Sequence, residues 1–94
     1  MATDKNAMRS SANYYIGKVT TAKNACDLAA QYMVSPQYDV SNNWTGVSGD
    51  AMSTALNDLR YEINQAYVRL AVLETQMRNE ANNIYNNWPE ESEP

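Results

Sequence analysis

Histidine and phenylalanine are absent from these 94 residues, cysteine occurs once, and glycine and proline occur three times each. Each shortage excludes something. Without histidine the commonest general base and the commonest transition-metal ligand are gone. Cys26 alone cannot close an internal disulfide or build a thiolate cage for zinc. Three glycines are too few for a nucleotide loop plus the turns of a many-stranded sheet. Basic residues number 7 against 11 acidic ones, for a net charge of −4. Such a chain fits the phosphate backbone of nucleic acid poorly. No apolar run approaches the roughly 18 residues of a membrane span. The opening Met1-Ala2-Thr3-Asp4-Lys5-Asn6 has no charged-then-apolar secretory profile. The expectation is therefore a non-enzyme without cofactor or metal, with neither nucleic acid nor membrane as partner.

What is present is a pair of heptad seams. The first segment places apolar or small residues at Met8, Ala12, Tyr15, Val19, Ala22, Cys26, Ala29 and Met33, in alternating steps of four and three. That spacing predicts a helix over about 4–33, with Thr3 or Asp4 as its cap. The second seam is Met52, Leu56, Leu59, Ile63, Ala66, Leu70, Leu73, Met77, Glu80 and Ile84. It predicts a helix over about 50–88, capped by Ser48 or Asp50 and stopped by Pro89. Its larger side chains complement the small ones of the first seam. Between them, 34–49 reads as a connector, because Pro36 and a run of Ser, Asn, Asp and Gly break the period. Residues 89–94 read as an acidic tail. No period-2 alternation predicts a strand.

The expected fold is all-α: a single domain over 1–94, formed as an antiparallel two-helix hairpin. At ~1.5 Å per residue the second helix is the longer, so it should overhang the first near Ile84 to Trp88. Glu80, the one charge on the seam, would mark the start of that overhang. A lone hairpin also leaves apolar side chains uncovered, among them Tyr14, Tyr32, Tyr61, Val68 and Val72. Small domains of this kind gain stability by association. A dimer in a four-helix bundle is the expected solution, with Tyr15, Val19, Leu56, Leu59, Ile63, Leu70, Leu73 and Met77 as packing residues of hairpin or dimer.

Trp44-Thr45-Gly46 stands just ahead of the second helix. By chemistry alone the indole is an amphipathic plug over a bundle end, and Gly46 supplies a positive φ or a close backbone approach. With this length, two heptad helices and a central Trp-x-Gly, the chain resembles the WXG superfamily of type VII secretion substrates, the early secretory antigenic target-like proteins. The resemblance covers the whole chain in architecture and three residues in motif. It implies export as a folded homodimer, or as a heterodimer with a paralogous hairpin, through a membrane ATPase of type VII secretion. The protein would then be secreted without a cleavable signal peptide, as a substrate or as an escort of a larger toxin. It implies a secretion motif at Trp44 and Gly46 and a C-terminal signal around Tyr85, Trp88 and Glu90. The chain departs from the family here, since the family's Tyr-x-x-x-Asp/Glu would need an acid at position 89. The looser pattern of a related branch is met by Leu70, Glu74, Met77 and Ala81. The long 34–49 segment departs from the family's tight turn. The competing reading is a cytoplasmic helical adaptor or chaperone-like module, with Trp44 as a plug only.

Remaining residues read as structural. Cys26 is a small seam residue. Asp58 and Glu62 share a helix face without histidine support for chemistry, and Glu74–Arg78 is an i, i+4 surface pair. The Asn-rich stretch 79–87 is a weak helix former that either frays or is ordered by a partner.

Overall fold

The computed structural model describes residues 4–89, and these form three helices. They are α1 (Lys5–Tyr32), α2 (Val34–Asn43) and α3 (Gly46–Asn86). Asp4 caps α1, its Oδ1 accepting the Ala7 N–H at 2.7 Å. A single residue, Met33, separates α1 from α2, and the Gln37 N–H still bonds the Met33 carbonyl at 3.1 Å. The two segments therefore act as one bent helix, against which α3 packs antiparallel. All described elements are helical.

The expected connector over 34–49 is thus mostly helix. Pro36 falls in the first turn of α2. There it removes one donor and releases one carbonyl, which bends the helix instead of ending it. The polar residues find partners within the helix: Asn42 Nδ2 donates to the Tyr38 carbonyl and Asn43 Nδ2 to Asp39 Oδ1. Met33 and Val40 are buried against α3. Packing of that apolar face outweighs the modest propensity cost of Ser, Asn and Asp.

This extension removes the predicted overhang. Residues 5–43 span about 58 Å and α3 about 61 Å, so the two arms end nearly level. Tyr85 lies under Lys5 and Arg9, with cation-to-ring distances of 4.7 and 4.5 Å. Trp88 lines a groove with Met8, Ala12 and Tyr15. Glu80 is exposed on a stretch still flanked by α1 and does not mark the end of pairing. The result is a rod of 79 × 17 × 14 Å.

The seam that closes the hairpin departs in part from the expected one. Ala12, Val19 and Cys26 on α1, and Leu56, Ile63, Leu70 and Met77 on α3, sit partly buried, as the spacing predicts. In the second column Met8 and Ala29 on α1 and Ala66 on α3 are half-buried as expected, and the other positions differ. On α1 it is Ile16, Lys23 and Ala30 that turn inward. Ile16 is 3% exposed, whereas Tyr15 is 58% exposed. On α3 Glu74 and Ala81 turn inward, while Leu59 and Leu73 stay 51% and 42% exposed.

Candidate functional site

The departure from the expected seam gives the hairpin two unlike edges. One edge is polar and is tied by cross-helix bonds. Glu74 of α3 accepts hydrogen bonds from the Thr20 hydroxyl and from Lys23 Nζ of α1, the latter at 3.0 Å. Arg78 Nη2 stands 4.0 Å from the same carboxylate. Further along, Gln37 Nε2 donates to Asn57 Oδ1 and Arg60 Nη1 donates to Gln37 Oε1. Lys23 also stands 6.0 Å from the Tyr67 ring centroid.

The other edge is apolar and open. Residues advance about 100° each around a helix. In an antiparallel pair this puts Tyr15, Ala22 and Ala29 of α1 beside Met52, Leu59, Ala66, Leu73 and Ile84 of α3. None of these side chains takes part in a cross-helix hydrogen bond or ion pair among the described residues. Glu62, Arg69 and Glu80 lie along its outer rim on α3. On the α1 side the small Ala22 and Ala29 follow Tyr15, and the α3 side carries the larger Met52, Leu59, Leu73 and Ile84 around Ala66. The middle columns, Ala12/Val19/Cys26 and Leu56/Ile63/Leu70/Met77, border both the closed seam and the open edge. Each helix therefore carries an apolar stripe wide enough for two neighbours and contacts one.

The turn end is built around Trp44. Trp44 and Thr45 are extended, with φ/ψ of −96/137 and −127/159. Two residues thus reverse a helix of nearly 60 Å. Gly46 follows at φ 74 with open space around its missing Cβ, so it serves the conformation alone. The close approach falls to Gly49, where an added Cβ would stand 3.0 Å from the Trp44 carbonyl oxygen. Gly49 is buried for that reason. The expected caps Ser48 and Asp50 are displaced: Thr45 holds the N-cap position without a side-chain bond. The Trp44 indole is 43% exposed, and its Nε1 donates to Asp39 Oδ2 at 3.2 Å. Asp39 also accepts from Asn43, so one carboxylate orients both the turn and its ring. Sequence reasoning missed Asp39 and Gly49. The i, i+5 spacing to Trp44 would have pointed to Asp39 only with α2 already known to be helical.

Of the sequence-derived site residues, Trp44 and Gly46 meet at the turn. Tyr85 and Trp88 lie at the opposite end of the rod, and Glu90 falls outside the described residues. Glu74, half of an i, i+4 pair by spacing, is a part-buried tie between helices. Its carboxyl is held below the ordinary 4.5, first by the Thr20 hydrogen bond and then by Lys23. A lowered folded pKa means stability that is fully present above 4.5 and is lost as pH falls through the folded value. Melting followed by circular dichroism should therefore show a lower Tm at pH 3 than at pH 7. Glu74→Gln should shrink that difference. An undiminished difference in the variant would assign the acid sensitivity to other carboxylates.

Among the described residues no group of three or more His, Cys, Asp or Glu side chains could hold a metal ion, and no helix is long and apolar enough to cross a membrane. The fold and its two ends define a helical hairpin with one tied and one open edge. No family, curated protein or solved structure was found to match the chain.

Proposed function

We propose that this chain is a dimeric helical hairpin exported by a type VII secretion system, as a substrate or as the escort of a larger secreted partner. Its open apolar edge takes a second hairpin, its own copy first, to complete a four-helix bundle. The carrying observation is the pairing of that edge with the Trp44–Gly46 turn. The chain exposes 7213 Å², against about 5,500 Å² for a compact monomer of this mass. The rod shape accounts for part of that excess, and the exposed Tyr15, Leu59 and Leu73 are what a second hairpin would cover. Export as a folded unit accounts for the turn. Trp44 stands half out of the surface on a geometry fixed by Asp39, Gly46 and Gly49. An indole held this way is a large amphipathic contact with little conformational freedom to lose.

Trp44→Ala should leave helical content and oligomeric state unchanged and abolish appearance in the culture medium of a host with an active type VII ATPase. Gly46→Asn, which tolerates positive φ, should keep the fold and test the backbone at that position. Normal export of Trp44→Ala would sink the secretion reading. Retention of the wild-type chain in such a host would favour the cytoplasmic adaptor, for which the same open edge is the binding surface.

A further inference from the structure

The polar edge holds a groove that the hairpin's own packing does not use. It lies between the first half of α1 and the last third of α3, with a volume of about 250 Å³. Its polar lining is Arg9, Asn13, Arg78 and Asn82; Ile16 and Ala81 form the floor. All four polar side chains bring N–H donors, and none of the lining residues is acidic. On a chain of net charge −4 this is a local reversal of sign. Arg78 reaches Glu74 only at 4.0 Å, and Glu74 is already engaged by Thr20 and Lys23. The Arg9 guanidinium stacks over Tyr85 at 4.5 Å, which orients its plane.

We propose that this groove binds a carboxylate side chain of an acidic segment on a protein partner. Two guanidinium groups flanking two carboxamides suit planar oxyanions, because each fork offers parallel N–H donors. The same edge already shows its preference about one turn away, where a hydroxyl, an ammonium and Arg78 surround the Glu74 carboxylate. The groove shares Arg78 with that cluster and adds Arg9, Asn13 and Asn82 as donors. It lies on the opposite edge from the proposed dimer face, so it stays accessible in the dimer and does not depend on the secretion reading.

The test is titration of the isotope-labelled full-length chain with blocked tri-glutamate, tri-glutamine and inorganic phosphate, followed by amide and side-chain NMR shifts. Tri-glutamate should shift Arg9, Asn13, Arg78 and Asn82 together, more weakly as salt rises. Tri-glutamine should not shift them. Asn82→Asp places a carboxylate in the groove itself and should weaken tri-glutamate binding at least tenfold. Arg9→Gln with Arg78→Gln should do the same, with helical content checked by circular dichroism. Equal shifts with tri-glutamine, shifts with phosphate alone, or full binding to Asn82→Asp would each overturn the proposal.

Discussion

Leu59→Glu combined with Leu73→Glu is expected to leave a helical monomer, against the dimer proposed for the wild-type chain. Both side chains stand about half exposed on the open edge. Fully burying a leucine is worth ~1.5–3 kcal/mol. The half still exposed therefore carries about 1 kcal/mol per side chain. A symmetric dimer buries four of them, so their loss costs about 4 kcal/mol before any charge is desolvated. That corresponds to about a thousandfold weaker association. Glutamate is a good helix former, and neither position closes the intrachain seam. Helical content at low temperature should stay near that of the wild type. Light scattering across a concentration series reads the outcome. The matched control is Val68→Glu with Val72→Glu, on the outward face of α3, where exposure is similar. That face is confined to one helix, whereas the open edge runs across two. A dimer that survives the Leu59/Leu73 change and dissolves in the control would move the interface to the back of α3.

Gly49→Ala should destabilise the fold by an amount comparable to Gly46→Ala, although only Gly46 has a positive φ. At Gly46 the penalty is conformational, about 1–2 kcal/mol, and nothing stands near the added methyl. At Gly49 the methyl meets the Trp44 carbonyl oxygen at 3.0 Å and its carbonyl carbon at 3.1 Å. Backbone atoms on a two-residue turn cannot rotate away as a side chain can. The turn has to open or the first turn of α3 has to move. Overpacking of this kind costs typically ~1–3 kcal/mol, and alanine's better helix propensity returns about 1 kcal/mol at most. Gly49→Val enlarges the overlap and should make Gly49 the costlier site. In a domain of this size each kcal/mol lowers Tm by roughly 4–8 °C. Thermal melts of the three variants rank them. A smaller drop for Gly49→Val than for Gly46→Ala would mean the turn yields easily, and the rigid presentation of Trp44 would fall with it.

Several elements were legible from spacing alone. Two amphipathic helices follow from runs of four-and-three steps that no strand could satisfy. The cap at Asp4 follows from side-chain chemistry just ahead of the first such run. The loss of period over 34–49 places the reversal within that segment, and only the fold puts it at Trp44 and Thr45. Val34–Asn43 was not legible, because its composition is that of a connector. It is helical through the burial of Met33 and Val40 against a helix that begins later in the chain. The tie at Glu74 was hidden for a similar reason. Its partners Thr20 and Lys23 lie more than fifty residues away, and the local i, i+4 partner Arg78 offered a sufficient but lesser role. Gly49 looked like one more connector residue. Only the folding back of Trp44 onto the start of α3 shows why a side chain does not fit there.

The sequence by itself determined that this protein is helical, reverses once within 34–49, and carries more apolar surface than one hairpin covers. Each of those follows from local period and composition, which need no knowledge of what lies across the seam. Tertiary structure alone decided which apolar column closes the hairpin and which stays open. Heptad spacing marks a stripe but not its centre, and rotating both helices by one column preserves the pattern. The choice was made by partners that meet only in the fold. Thr20 and Lys23 draw Glu74 inward, Ile16 turns in with them, and Tyr15, Leu59 and Leu73 are left facing out. The shortage of histidine, cysteine and basic residues narrowed what that open edge could be for. Its position on the molecule came from packing.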